Sequence, residues 1–148
     1  MMRWLQMALG WLHGLFLRRR RTSRQRTGEA GERHAVAYLR GLGWNIVVRN
    51  WRYGRDEVDI VAGDGPNLVF VEVKTRTDSG AVDDSGSGYF AVDKRKRRAL
   101  ARACRAYMRG LERAPQHFRF DIIEVKLRAG AVSALHHHRG VALFSQKR

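Results

Sequence analysis

The apolar patterning of this chain predicts an α/β sandwich-like domain: a helix, three strands, a second helix, then one or two strands. Three observations carry that reading. Ala35, Tyr38, Leu39 and Leu42 recur at helical spacing within 29–42. The runs 44–52, 57–63 and 68–76 are rich in Val, Ile, Phe and Trp and are separated by turn residues. Helical spacing returns in 94–111 through Leu100, Cys104, Tyr107, Met108 and Leu111.

Each element has a local reason. Gly41 and Gly43 end the first helix. Glu32 lies at the edge of its stripe, three and seven residues before Ala35 and Leu39, where it can look toward the sheet. The turn Gly63-Asp64-Gly65-Pro66-Asn67 joins the second and third strands. Val69, Phe70, Val71 and Val73 mark the third strand as buried on both faces, except where Glu72 and Lys74 interrupt it. A Gly-, Ser- and Asp-rich loop spans 77–90. Asp93 is the expected N-cap of the second helix. Residues 117–127 form the next strand, and 131–144 are expected to hold the last.

A chain of 148 residues suffices for one domain with one core. Its 29 Lys and Arg against 14 Asp and Glu give a net charge of +15, a field that attracts polyanions. Nucleic acid is the first candidate and an anionic membrane surface the second. Residues 1–27 hold seven arginines and no acid, so the remainder keeps +8 while carrying all 14 acids. The chain is expected to divide into a basic extension, 1–27, amphipathic or disordered, and a nucleic-acid-binding domain, 28–148. Residues 4–17 are mostly apolar and run straight into Arg18 to Arg21. That order does not suit a secretory signal, and the stretch is too short to span a bilayer. An interfacial helix on residues 1–21, a packing arm, or residues dispensable to the fold remain as readings. Cys104 stands alone, which excludes an intramolecular disulfide or a multi-cysteine zinc site and fits a reducing cytoplasm. Its helical register places it in the core rather than among nucleophiles.

The hairpin 57–76 carries the chemistry. With its turn centred between Gly65 and Pro66, Asp59 falls opposite Glu72, their Cβ atoms about 5 Å apart. Lys74, two residues on, points to the same face as Glu72. Two carboxylates so close raise each other's pKa unless positive charge lies between them. Lys74 supplies part of that charge, and a divalent cation suited to hard oxygen ligands, Mg²⁺ or Mn²⁺, supplies the rest. Such an ion can bind a phosphate and acidify its own water, while the lysine orients that water or offsets charge on phosphate oxygens. The pattern taken alone also describes a salt-bridge cluster on a hairpin. Its placement within an apolar run favours a metal site, because buried charge is costly unless paired or metal-bound.

The motifs G-E-A-G-E (28–32), R-N-W-R (49–52), E-V-D-I-V (57–61), V-F-V-E-V-K-T-R (69–76) and R-F-D-I-I (119–123) resemble, in order and spacing, the bacterial YraN-like proteins, uncharacterised protein family 0102. The resemblance covers about residues 28–145, and that family is similar to the PD-(D/E)XK nucleases, relatives of Holliday-junction resolvases and restriction endonucleases. It implies a restriction-endonuclease-like core, with a mixed central sheet of four to five strands flanked by helices. It further implies that Asp59, Glu72 and Lys74 are the catalytic acids and lysine, and that Glu32 completes the metal site from the first helix. A homodimer is part of the same expectation. Where the family usually reads G-E-I-D, this chain places Arg55-Asp56 between Gly54 and Glu57.

Lys94 to Arg98 put five cations at the start of a helix, where the macrodipole already disfavours them. A bound phosphate relieves both, so Lys94, Arg95, Arg97 and Arg98, with Arg76, are the expected contacts to a DNA backbone. The resemblance adds that Lys94 matches a lysine usual in the family. Trp51, Tyr53, Tyr89 and Phe90 are candidates for stacking on unpaired bases, while Trp44 is expected in the core. His136 to His138 alternate faces if they lie in a strand, so they cannot all bind one ion. A strand edge or loop suits them better. Asp78, Asp83 and Asp84 lack the Gly and terminal Glu of a calcium loop and read as loop residues. The expected function is a metal-dependent nuclease acting on DNA, branched or single-stranded. The alternative is a nucleic-acid-binding protein on a nuclease scaffold without catalysis.

Overall fold

The computed structural model describes residues 22–78 and 93–143. In chain order these form α1 (Ser23–Gly41), β1 (Asn45–Tyr53), β2 (Asp56–Asp64), β3 (Asn67–Thr77), α2 (Lys94–Arg109), β4 (His117–Arg128) and β5 (Ala131–His138). The five strands make one sheet in sequence order. β3 and β4 run parallel, and every other neighbouring pair is antiparallel. A parallel pair needs a crossover, and α2 lies within it. The result is the α/β architecture with a mixed, helix-flanked sheet that the sequence predicts.

The two helices cover opposite faces. Ala35, Val36 and Leu39 of α1 pack on Ile60, Val69, Val71, Ile123 and Val125. Leu100, Ala103 and Cys104 of α2 pack on Val58, Val61, Phe70, Phe120 and Ile122. Each fully buried aliphatic or aromatic side chain contributes about 1.5–3 kcal/mol, so these two layers hold the helices in place. Cys104 is fully buried, as its register predicts, and burial pushes its thiol up to about 12. Trp44 is buried in the α1-side core. Among the described residues, no helix is long and apolar enough to cross a membrane.

The start of α1 differs from the sequence reading. α1 begins at Ser23 rather than Glu29, so residues 23–27, expected in the extension, are its first turn and more. A capping box starts it: Thr22 and Gln25 exchange side-chain-to-backbone hydrogen bonds of 2.8 and 3.3 Å. That first stretch is polar throughout, so no apolar stripe marks it. The last strand, Ala131–His138, lies within the expected 131–144; beyond it the chain turns at Gly140, with φ 66°, and Val141 donates to the Phe120 carbonyl at 2.7 Å.

The three histidines do split between faces. His137 lies against Tyr38 and Trp44 on the α1 side, with its Nε2 3.0 Å from Asp121 Oδ2. His138 Nε2 is 3.5 Å from Glu124 Oε1, and Glu124 shares its face with Ile122. Asp121 is fully buried and satisfied. It also accepts from Arg119 Nε at 3.1 Å and from the Gly140 N–H at 2.9 Å. Arg119 in turn reaches Asp64 at 2.8 Å and lies over the Trp44 ring.

Candidate active site

The site is built where β2 and β3 part. Their ladder keeps the register set by the Gly65-Pro66 turn, from Asp64 opposite Asn67 to Ile60 opposite Val71, and ends there. Asp59 and Glu72 are the next residues outward. Asp59 does not complete the ladder with its backbone. Its Oδ2 instead accepts the Val73 N–H at 2.7 Å. The β1–β2 register runs on through this level, with Arg49 opposite Ile60 and Trp51 opposite Val58, but Asn50 and Asp59 between them are not paired. There Asn50 adopts φ 51°, a left-handed conformation that Asn tolerates better than most residues. β2 turns at this unpaired step. Val58 belongs to the α2-side core, whereas Ile60 belongs to the α1-side core.

A cleft of about 520 Å³ opens at the fork. Glu32, Asp59 and Glu72 line it, together with Ser23, Arg24, Thr27 and Gly28 of α1 and Val73, Thr75 and Thr77 of β3. α1 comes this close because Gly31 has no side chain: a Cβ there would stand 1.8 Å from Thr75 Oγ1. That approach brings Glu32 to the cleft.

Glu72 is 3% exposed and carries its charge inside the fold. Its Oε1 takes Lys74 Nζ at 2.8 Å and Lys96 Nζ at 3.1 Å. Its Oε2 is buried and has no hydrogen-bond partner among the described residues. Among the described residues Asp59 forms no ion pair, and the more distant Lys96 is the only charge that acts to lower its carboxyl. Burial first, and the Glu72 charge second, push its carboxyl up to about 7, against the Val73 hydrogen bond. Burial likewise raises the Glu32 carboxyl, against a hydrogen bond with Asn50 and the charge of Arg49, whose Nη2 is 3.8 Å from Oε2. Among the described residues, no three His, Cys, Asp or Glu side chains stand close enough together to hold an ion as placed.

The expected trio Asp59, Glu72 and Lys74 therefore meets at one fork, with Glu32 across the cleft. Two residues were not foreseen. The basic run does not single out Lys96, yet it lies four and eight residues before the buried Leu100 and Cys104 and so on the sheet-facing side of α2. Asn50 gave no signal beyond its place in R-N-W-R. Of the other cations, Lys94, Arg95 and Arg98 are exposed at the start of α2, Arg97 is half-buried, and Arg76 is exposed near the end of β3. The Asp93 cap forms as expected, accepting the Lys96 N–H at 2.7 Å. Trp51 packs edge-on against Tyr107 and stacks with the exposed Tyr53. Asp78, just past β3, forms an ion pair with Arg128 at 2.8 Å. Tyr89, Phe90, Asp83, Asp84 and residues 1–21 lie outside the described residues.

A family model described as Uncharacterised protein family UPF0102 matches residues 31–125. The chain is 41% identical over 98 residues to a UPF0102 protein of Chlorobium limicola, covering 66% of this chain and 73% of that protein. To a UPF0102 protein of Mycolicibacterium vanbaalenii it is 39% identical over 123 residues, covering 81% and 96%. To one of Symbiobacterium thermophilum it is 42% identical over 102 residues, covering 69% and 83%. The matched span contains Glu32, Asp59, Glu72, Lys74 and Lys96, so the fork lies within the shared part of the fold. This chain belongs to the uncharacterised protein family UPF0102.

Proposed function

We propose that this protein is a metal-dependent nuclease that hydrolyses phosphodiester bonds in DNA. The observation that carries the reading is Glu72: a buried carboxylate with one oxygen on two lysines and the other without a partner among the described residues, lining a cleft beside Asp59. A buried polar atom left unpaired costs about 1–3 kcal/mol, more when charged. A cation in the cleft removes that cost and the repulsion that keeps Asp59 partly protonated.

Hard carboxylate oxygens suit Mg²⁺ or Mn²⁺. Mg²⁺ commonly takes one or two carboxylates, with water and phosphate completing its shell. Asp59 and Glu72, with Glu32 assisting, thus form a fitting donor set without a three-ligand cage. When bound, the ion lowers the pKa of a coordinated water and offsets phosphate charge. The rest falls to the chain. Lys74 orients the attacking water or offsets charge building on the phosphate oxygens. Water adds its hydroxyl to phosphorus, the bond to the leaving oxygen breaks, and that oxygen takes a proton. Lys94, Arg95, Arg97, Arg98 and Arg76 dock the backbone. Action on branched or single-stranded DNA, and pairing of two copies, follow from the resemblance to resolvases.

Mn²⁺ calorimetry on wild type and Asp59→Ala, paired with cleavage of branched, single-stranded and duplex DNA, tests the reading. Equal Mn²⁺ affinity in both proteins removes the metal assignment. Binding of metal without cleavage favours the second reading, a nucleic-acid-binding protein on this scaffold. One observation supports that alternative: two ammonium groups already neutralise Glu72 Oε1.

A further inference from the structure

Glu72 has more positive charge than it needs. One buried carboxylate is neutralised by one ammonium, yet Lys74 and Lys96 both reach its Oε1, at 2.8 and 3.1 Å. The two lysines are held differently. Lys96 comes from the first turn of α2, and its own N–H is fixed by the Asp93 side chain at 2.7 Å. Lys74 lies on β3 beyond the point where that strand's pairing with β2 has ended, although its pairing with β4 continues there. A lone lysine on a buried carboxylate cannot leave it without stranding the charge. With two, one stays while the other turns to a phosphate or a water.

We propose that Lys96 is the positioning residue of this site: it holds Glu72 and so frees Lys74 for the attacking water. The inference rests on the nuclease reading above. Lys96 stays on Oε1, Oε2 is left for the cation, and Lys74 acts at the reacting phosphate. Lys96 itself touches neither substrate nor ion.

Lys96→Met, Lys96→Arg and Lys74→Met in the full chain test this division of labour. The readouts are kcat and KM for DNA cleavage with Mn²⁺, the melting temperature, and the solvent exchange of the Lys74 ammonium protons by nitrogen NMR. In Lys96→Met the remaining lysine is locked on Glu72. Its kcat is expected to fall about 10²-fold, the scale of a positioned proton-transfer group. KM is expected to stay within about threefold. Lys74 ammonium exchange slows, and the melting temperature holds. Lys96→Arg recovers most of the lost kcat, because a guanidinium can also hold Oε1. Unchanged kcat in Lys96→Met overturns the inference. So does a loss confined to KM, which makes Lys96 a docking residue, or a loss that tracks unfolding. If the wild type cuts no DNA, the nuclease reading fails by itself. Unchanged or faster Lys74 exchange in Lys96→Met then overturns the present inference independently.

Discussion

Asp59 and Glu72 stand one step beyond the last paired residues of β2 and β3, and the Asp59 carboxylate accepts the Val73 N–H and, among the described residues, forms no ion pair. The two lysines nearby contact Glu72 instead. This asymmetry makes Asp59 the group that titrates near neutrality and Glu72 the group with an unmet oxygen.

Stability should report the Asp59 charge. Its carboxyl rises from 3.8 to about 7, through burial first and Glu72 second. Between those values the folded chain holds a proton that the unfolded chain has released. The contribution to stability is therefore complete below the lower value and lost as pH rises through the upper one. Asp59→Asn, which cannot ionise and still accepts from Val73, escapes that loss. It is expected to exceed wild type by about 1–3 kcal/mol at pH 8, with the gap closing toward pH 5. Urea titrations at both pH values measure it.

Metal binding should release that proton. An ion held by Asp59 requires the carboxylate, so Mn²⁺ binding at pH 6 is expected to release up to about one proton, and at pH 8.5 almost none. Calorimetry in two buffers of different ionisation enthalpy reads the difference. Release that is equal at both pH values places the ion elsewhere.

The Gly65-Pro66 turn sets the register, and the register holds as far as Ile60 opposite Val71, one step short of Asp59 and Glu72, because a two-residue period leaves no freedom once the turn is fixed. Strict alternation also assigns Val58 and Ile60 to one face, and there it fails: β2 turns at Asp59 beside the left-handed Asn50. No residue pattern encodes that break. Lys96 was hidden for another reason. Five consecutive cations read as one phosphate-binding patch, although only the helical register against Leu100 and Cys104 decides which of them faces the sheet. The first turn of α1 was missed because polar residues lining a cleft carry no apolar stripe.

Gly31 should be intolerant of any side chain. A Cβ there would lie 1.8 Å from Thr75 Oγ1 and 2.8 Å from Thr75 Cβ, the latter fixed to the strand, so α1 must move. Gly31→Ala gains about 1 kcal/mol of helix propensity but loses about 1–3 kcal/mol to overpacking. A lower melting temperature is expected, with weakened Mn²⁺ binding as Glu32 withdraws from the cleft. A variant as stable as wild type, with unchanged metal affinity, removes Glu32 from the donor set.

The exposed cations of α2 should separate binding from folding. Lys94, Arg95 and Arg98 lie near a positive helix end with no acid in the first turn. Replacing all three with Ala is expected to lower the salt slope of DNA binding by about 2–3 and to weaken binding alike for different sequences. The same change relieves the macrodipole by a few tenths of a kcal/mol per residue, so the melting temperature should hold or rise. DNA affinity with an unaltered salt dependence would mean that phosphates dock elsewhere.

Asp121 provides the control for Glu72, since both are buried carboxylates on adjacent strands. Every contact of Asp121 is to the scaffold: Arg119 at 3.1 Å, His137 at 3.0 Å and the Gly140 N–H at 2.9 Å. Burial pushes its carboxyl up, but the hydrogen bonds from His137 and Gly140 and the Arg119 charge outweigh it and hold it below the ordinary 3.8. A depressed acid stabilises above its unfolded value and loses that contribution as pH falls through the folded one, so Asp121 contributes to acid lability below about pH 4. Asp121→Asn removes the charge that Arg119 and His137 were built around, and a cost of about 3–5 kcal/mol is expected. Glu72→Gln should behave in the opposite way. Lys74 and Lys96 are 29% and 38% exposed and can turn to water, so it loses little stability. It should nevertheless lose Mn²⁺ binding, which Asp121→Asn keeps per folded molecule. If both variants lose stability alike and neither alters Mn²⁺ affinity, Glu72 is a structural charge like Asp121, and the fork is not a metal site.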